Sequence, residues 1–157
     1  MYANQLEAAR KALDEAARLD PGRPEAYYRR GILEAWDGKS EVAAGYLKNA
    51  LASSARMAPA WEALASLELD ADKVDAALEH LGQAIEIDPY RASAYYLSAI
   101  AHAKLSQAEQ AADDLRKAFQ LDPGYLEEAK QIEVFQRLFA PGVLERLAKP
   151  EEERPAE

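Results

Sequence analysis

Three stretches of the chain superimpose on one another at a fixed step of 34 residues. Alanine recurs at Ala43, Ala77 and Ala111, and again at Ala50, Ala84 and Ala118. Leucine recurs at Leu47, Leu81 and Leu115. An aromatic residue leads each stretch, at Tyr27, Trp61 and Tyr95, and a small residue follows four positions later, at Gly31, Ala65 and Ala99. A period of this size argues against a fold with one closed core. A unit this short cannot bury its own apolar face, so successive copies stack and cover one another.

Each unit reads as two helices. Val74, Ala77, Leu78, Leu81, Ala84 and Ile85 fall on one face of a 3.6-residue period. The apolar residues are mostly Ala and Leu, and Thr is absent, which favours helix throughout. First helices are expected over 24–37, 58–71 and 92–105, and second helices over 40–53, 73–87 and 107–121. Gly38, after Asp37, closes the first helix of the first unit, because glycine tolerates the left-handed cap. Ser40, Ser106 and Asp72 are read as N-caps of the second helices. Leu19-Asp20-Pro21, Ile87-Asp88-Pro89 and Leu121-Asp122-Pro123 end the second helices, since proline cannot continue their hydrogen bonding. Short side chains at Gly31, Ala65 and Ala99, opposite Ala43, Ala77 and Ala111, let paired backbones approach closely. Tyr27, Trp61 and Tyr95 then fill the space against the preceding unit.

This order of aromatic, small residue, Ala, Leu, Ala and Pro within one period resembles the tetratricopeptide repeat. The resemblance implies an all-α, right-handed α-solenoid of stacked helix–turn–helix units. Complete units fit residues 24–57, 58–91 and 92–125. Residues 1–23 read as the second half of a further unit, with Ala9, Leu13, Ala16 and Pro21 in register. That half unit either caps the stack or belongs to a longer array. Residues 126–148 read as a C-terminal cap, with one amphipathic helix over 125–139 that packs Ala129, Ile132, Phe135 and Leu138 or Phe139 on the third unit. A short segment over 143–147 follows the break at Pro141-Gly142, and residues 149–157 read as a mobile tail. Two departures from the pattern stand out. Ala55 replaces the terminal proline of the first unit, and Glu34, Glu68 and His102 replace a large residue seven positions past the aromatic.

The charge is −9, and residues 58–91 carry eight acids against two bases. That middle third repels a phosphate backbone and attracts a basic partner, although an acidic surface usually serves solubility. No basic stripe for nucleic acid is present, and no apolar run is long enough to span a membrane. The first residues lack the pattern of a signal peptide, so cytoplasm is the default expectation. Cysteine is absent, and no metal-ligand spacing or phosphate-binding glycine loop occurs. His80 reads as a surface residue and His102 as a histidine at the edge of the core. Adjacent acids such as Asp113-Asp114 and Glu127-Glu128 point different ways on a helix. These residues make no acid–base pair, so the expectation is a non-enzymatic protein with no cofactor and no metal.

The resemblance also implies a concave surface lined by first helices. Its expected lining is Tyr28, Arg29, Ile32, Ala35 and Trp36, then Glu62, Ala63, Ser66, Leu69 and Asp70, then Tyr96, Leu97, Ile100, Ala103 and Lys104. Apolar anchors beside a few charges suit a peptide or an amphipathic helix with some basic charge. The alternative for Tyr96, Leu97 and Ile100 is that terminal helices or a second copy cover them. Members of the family that grip acidic chaperone C-termini use Lys, Asn and Arg at set inward positions; here Tyr28, Glu62, Ser66 and Tyr96 stand there, and only Arg29 matches in type. A second functional expectation is self-association through the ends of the stack, using Leu6, Leu13, Phe135, Phe139 or Leu144.

Overall fold

The computed structural model describes residues 2–150, and side chains from Gln5 onward. The elements are α1 (Tyr2–Leu19), α2 (Pro24–Trp36), α3 (Ser40–Ser53), α4 (Ala58–Asp70), α5 (Val74–Ile87), α6 (Ala92–Lys104), α7 (Ala108–Leu121), α8 (Tyr125–Gln131), α9 (Glu133–Leu138) and α10 (Val143–Ala148). No strand occurs among the described residues. Helices pair as α2–α3, α4–α5 and α6–α7, and each pair packs on the next through α3–α4 and α5–α6. The chain is an α-solenoid of helix–turn–helix units. Most of the tail expected to be mobile, residues 151–157, lies outside the described residues.

The turns inside the pairs differ from the sequence expectation. Asp72 and Ser106 do not start the second helices. With Gly38 they occupy one repeat position, at φ 57°, 59° and 75° respectively. The amide of the next residue closes back onto the first helix: Lys39 to the Glu34 carbonyl (2.9 Å), Lys73 to Glu68 (2.8 Å) and Gln107 to His102 (2.9 Å). This six-to-one closure needs a left-handed residue, so Asp72 and Ser106 end first helices as Gly38 does. The N-caps of the second helices are Lys39, Lys73 and Gln107, none with a side-chain cap bond, and Ser40 is simply the first residue of α3.

Packing follows the small residues. Ala43, Ala77, Ala111, Ala50, Ala84, Ala118, Leu47, Leu81 and Leu115 are all 0% exposed. A Cβ placed on Gly31 would lie 2.9 Å from Leu47 Cγ and 3.2 Å from the Ala43 carbonyl oxygen, so α2 and α3 touch where only glycine fits. Trp61 packs against the Leu47–Leu51 side of the preceding unit, and its Nε1 donates to the Ala55 carbonyl at 2.8 Å. Its ring stacks on His80 at 5.1 Å. His80 is therefore half-buried rather than a surface residue, with Nδ1 2.7 Å from Glu68 Oε2. Trp61 and Glu68 lie two turns apart on one face of α4, and His80 of α5 fits against both. His102 sits at the core edge, 2.7 Å from Gln107 Oε1.

The C-terminal cap is not one helix. Ile132 takes an extended conformation (φ −83°, ψ 117°) between α8 and α9, and Gln136 Nε2 donates to the Lys130 carbonyl across the break. The break re-aims α9 against α6, while α10 packs on α7 and α8. Phe135 becomes fully buried beside Tyr96, Phe119, Ala129 and Leu144. Phe135 and Leu144 are thus core residues of this chain, not free surface for a second copy. Phe139 is half-buried against the same cluster.

Candidate functional site: the face of the first helices

The expected lining divides into three parts. Tyr28, Arg29, Ile32 and Trp36 of α2 border one depression, completed by Leu33 and by Leu13 from α1. Trp36 is 80% exposed, although a tryptophan ring usually lies largely buried in a folded chain. Tyr28, with Ile32, is half-buried. Burial first, then the Glu62 carboxylate, holds the Tyr28 hydroxyl above its ordinary pKa.

A second depression lies between α4 and α6, bordered by Ser66, Leu69, Asp70, Leu97, Ile100 and Lys104. Lys104 Nζ donates to Asp72 Oδ1 at 2.8 Å, which ties the end of α6 to the turn of the preceding unit. That bond holds the Asp72 carboxyl below the usual carboxylate range. Asp70 is exposed and makes no ion pair among the described residues. Leu69 is nearly buried and forms the floor. Of the expected alanines, Ala35 and Ala63 are half-buried and Ala103 is buried.

Glu62 and Tyr96 fall in neither depression. Glu62 accepts a hydrogen bond from Ser93 Oγ at 2.8 Å and pairs with Arg91 Nη1 at 3.2 Å. Its charge is used between units rather than offered to a partner. Tyr96 is only 6% exposed, with its ring 4.6 Å from Tyr125 and 6.0 Å from Phe135. Its hydroxyl is pushed up to about 12, mainly by burial and then by Glu128 and Tyr125. The expected anchor at Tyr96 is thus corrected: α8 and α9 fold over it, and it belongs to the C-terminal core.

Sequence reasoning missed a charge cluster at the opposite end. Glu34 is 2% exposed, buried where a large apolar residue was expected. Arg10 Nε of α1 donates to Glu34 Oε1 at 2.9 Å, and Arg30 pairs with the same oxygen. Arg10 also reaches Asp37 at 2.5 Å, and Arg30 Nε reaches Asp14 at 3.0 Å. The available signal was an acid in a packing position preceded by a basic residue in the half unit. The spacing between them has no local periodicity to expose it.

Comparison with known proteins agrees with this architecture. The model for the tetratricopeptide repeat matches residues 58–91 and 92–125. No curated protein matches the chain. Among solved structures, a crystal structure of MamA aligns at a TM-score of 0.76 and 20% identity, over 94% of this chain and 86% of that one. MamA 41-end from Desulfovibrio magneticus RS-1 aligns at 0.73 and 26% identity, over 84% and 75%. YrrB, described as a TPR protein with an unusual peptide-binding site, aligns at 0.68 and 19% identity, over 87% and 76%. Residues 58–125 thus match the tetratricopeptide repeat model as two adjacent units, and the stacked helix pairs of the fold continue the same arrangement on either side of them.

Proposed function

We propose that this protein is a non-enzymatic binding scaffold that holds a peptide or an amphipathic helix of a partner protein along the face of its first helices. The observation that carries this reading is Trp36, a large ring left in solvent beside Tyr28 and Ile32 while the core aromatics are buried or half-buried. Exposed aromatic anchors next to apolar walls are the usual source of interface affinity. The second depression adds an aliphatic floor from Leu69, Leu97 and Ile100, with Asp70 at its edge. A ligand suited to both carries apolar anchors and a basic residue placed to meet Asp70. The peptide-binding site named for YrrB supports peptide capture by analogy of fold.

The test is titration of a panel of amphipathic peptides, with and without basic residues, followed by calorimetry. Trp36→Ala is expected to weaken a bound peptide by about 1–3 kcal/mol. Asp70→Asn is expected to weaken basic peptides alone. A panel ligand whose affinity is indifferent to both changes would remove this face from the reading.

A further inference from the structure

A slot lies at the junction of the first two complete units, where α3 meets α4, and it shares no residue with the groove. Ala44 and Lys48 of α3 border it, with Leu64 and Leu67 of α4 and with Ala71 and Lys73 of the turn that follows. Leu64 is buried, Ala44 and Leu67 are half-buried, and Ala71 is exposed. At the next junction the counterparts of Ala44 and Ala71 are Leu78 and Leu105, and those of Leu64 and Leu67 are Ser98 and Ala101. There the large aliphatic groups take the outer positions, above buried small residues. Here they form the floor, and the outer positions carry methyl groups alone.

Charge specifies the occupant. Lys39, Lys73 and Gln107 share one repeat position, and so do Asp37, Ala71 and Leu105. In the first unit Lys39 pairs with Asp37 at 2.8 Å. The second unit keeps the lysine and lacks the acid: Ala71 stands in its place, on the slot. Lys73 is exposed and makes no ion pair among the described residues. It also caps the start of α5, where the helix dipole disfavours a cation. Lys48 is likewise exposed and unpaired among the described residues. The acids on the slot are engaged within the chain. Glu68 meets His80 at 2.7 Å, and Glu41 lies in the first turn of α3, where the dipole favours it. The uncompensated charge is therefore positive. We infer that the slot between α3 and α4 docks a short segment of a partner protein, with an aliphatic side chain on Leu64 and Leu67 and an acidic residue beside it on Lys73. That acid does for Lys73 what Asp37 does for Lys39. The site stands apart from the groove reading, whose ligand is basic, and it lies inside the stack with a complete unit on each side.

The probe is a synthetic peptide with one central leucine flanked by aspartates and glutamates, titrated into the isotope-labelled full chain and followed by amide NMR shifts. Saturable shifts are expected at Ala44, Leu67, Ala71 and Lys73. Ala71→Asp, at an exposed position where the first unit already carries aspartate, should weaken the peptide about fivefold, the scale of one exposed ion pair. Ala71→Asn, of the same size without the charge, should leave the affinity nearly unchanged. A control peptide with lysines in place of the acids should not saturate. The absence of saturable shifts overturns the inference, and so does equal binding of the acidic and lysine peptides or equal loss in the Asp and Asn variants. Shifts confined to Leu69, Leu97 and Ile100 also overturn it, because the peptide then lies in the groove. A free chain that sediments as a dimer, and as a monomer once Ala71→Arg is introduced, assigns the slot to a second copy and overturns the acidic partner.

Discussion

The two ends of the stack meet the same need with opposite chemistry. At the C-terminal end, α8–α10 close over α6 and α7 with Phe135, Tyr96, Phe119, Ala129 and Leu144, a cluster of rings and aliphatic groups. At the N-terminal end, α1 is held on α2 by Arg10, Glu34, Arg30, Asp14 and Asp37. Apolar closure removes surface from water and carries no charge for salt to screen. Charged closure costs desolvation that the pairing only partly offsets, so it adds little net stability, yet losing one member is costly. Leu13 is half-exposed and Ala16 exposed, whereas their counterparts on α7, Leu115 and Ala118, are fully buried.

The largest contrast should come from Phe135→Ala. It empties a fully buried ring site and is expected to cost about 4 kcal/mol, seen as a lower urea midpoint. Sodium chloride at concentrations that screen charges should alter that loss little. Glu34→Ala strands Arg10 and Arg30 without their shared carboxylate, at a cost of about 3 kcal/mol. Replacing all three residues with apolar ones of similar volume should recover most of that loss, which unfolding of the triple variant would measure.

A smaller effect follows from pH, with opposite sign at two places. Lys39 and then Arg10 hold the Asp37 carboxyl below the usual range. Its contribution is present above the ordinary aspartate pKa and is lost as pH falls through the depressed folded value. Burial raises the Asp114 carboxyl of α7, against the opposing pull of Ser98 and His102. Its contribution is greatest below the ordinary pKa and is lost as pH rises through the raised one. Corrected for the intrinsic exchange rate, amide protection in α1 should therefore fall as pH drops below the ordinary aspartate range, while protection in α7 holds. Equal loss of protection in the two helices would remove the distinction between the ends.

Much of this fold is legible in the sequence because it depends on recurring size. Ala43, Leu47 and Ala50 and their counterparts face the same neighbours in every unit, so their identity repeats. The turns were harder to read. Gly38, Asp72 and Ser106 share a backbone conformation but no side-chain chemistry, and two of them look like caps of the helix that follows. The break at Ile132 and the burial of Tyr96 depend on helices outside the repeat register. The Glu34 cluster joins Arg10 and Asp14 of α1 to Glu34 and Arg30 of α2 across separations of 24 and 16 residues, which no helical period spans. For the face of the first helices, the lining at Ser66, Leu69, Asp70, Leu97, Ile100 and Lys104 is what the family resemblance implies, and these residues border one depression.

The left-handed turns have a consequence for engineering. Asp72 and Ser106 hold a backbone shape that costs an ordinary residue about 1 kcal/mol or more, and Gly38 adopts it freely. Two hinges of the stack are thus wound slightly against their own preference. Asp72 also anchors Lys104, so relaxing that hinge with glycine would cut a tie between neighbouring units. Ser106 has no such side-chain bond among the described residues, which makes it the place where the array can be hardened without loosening anything else.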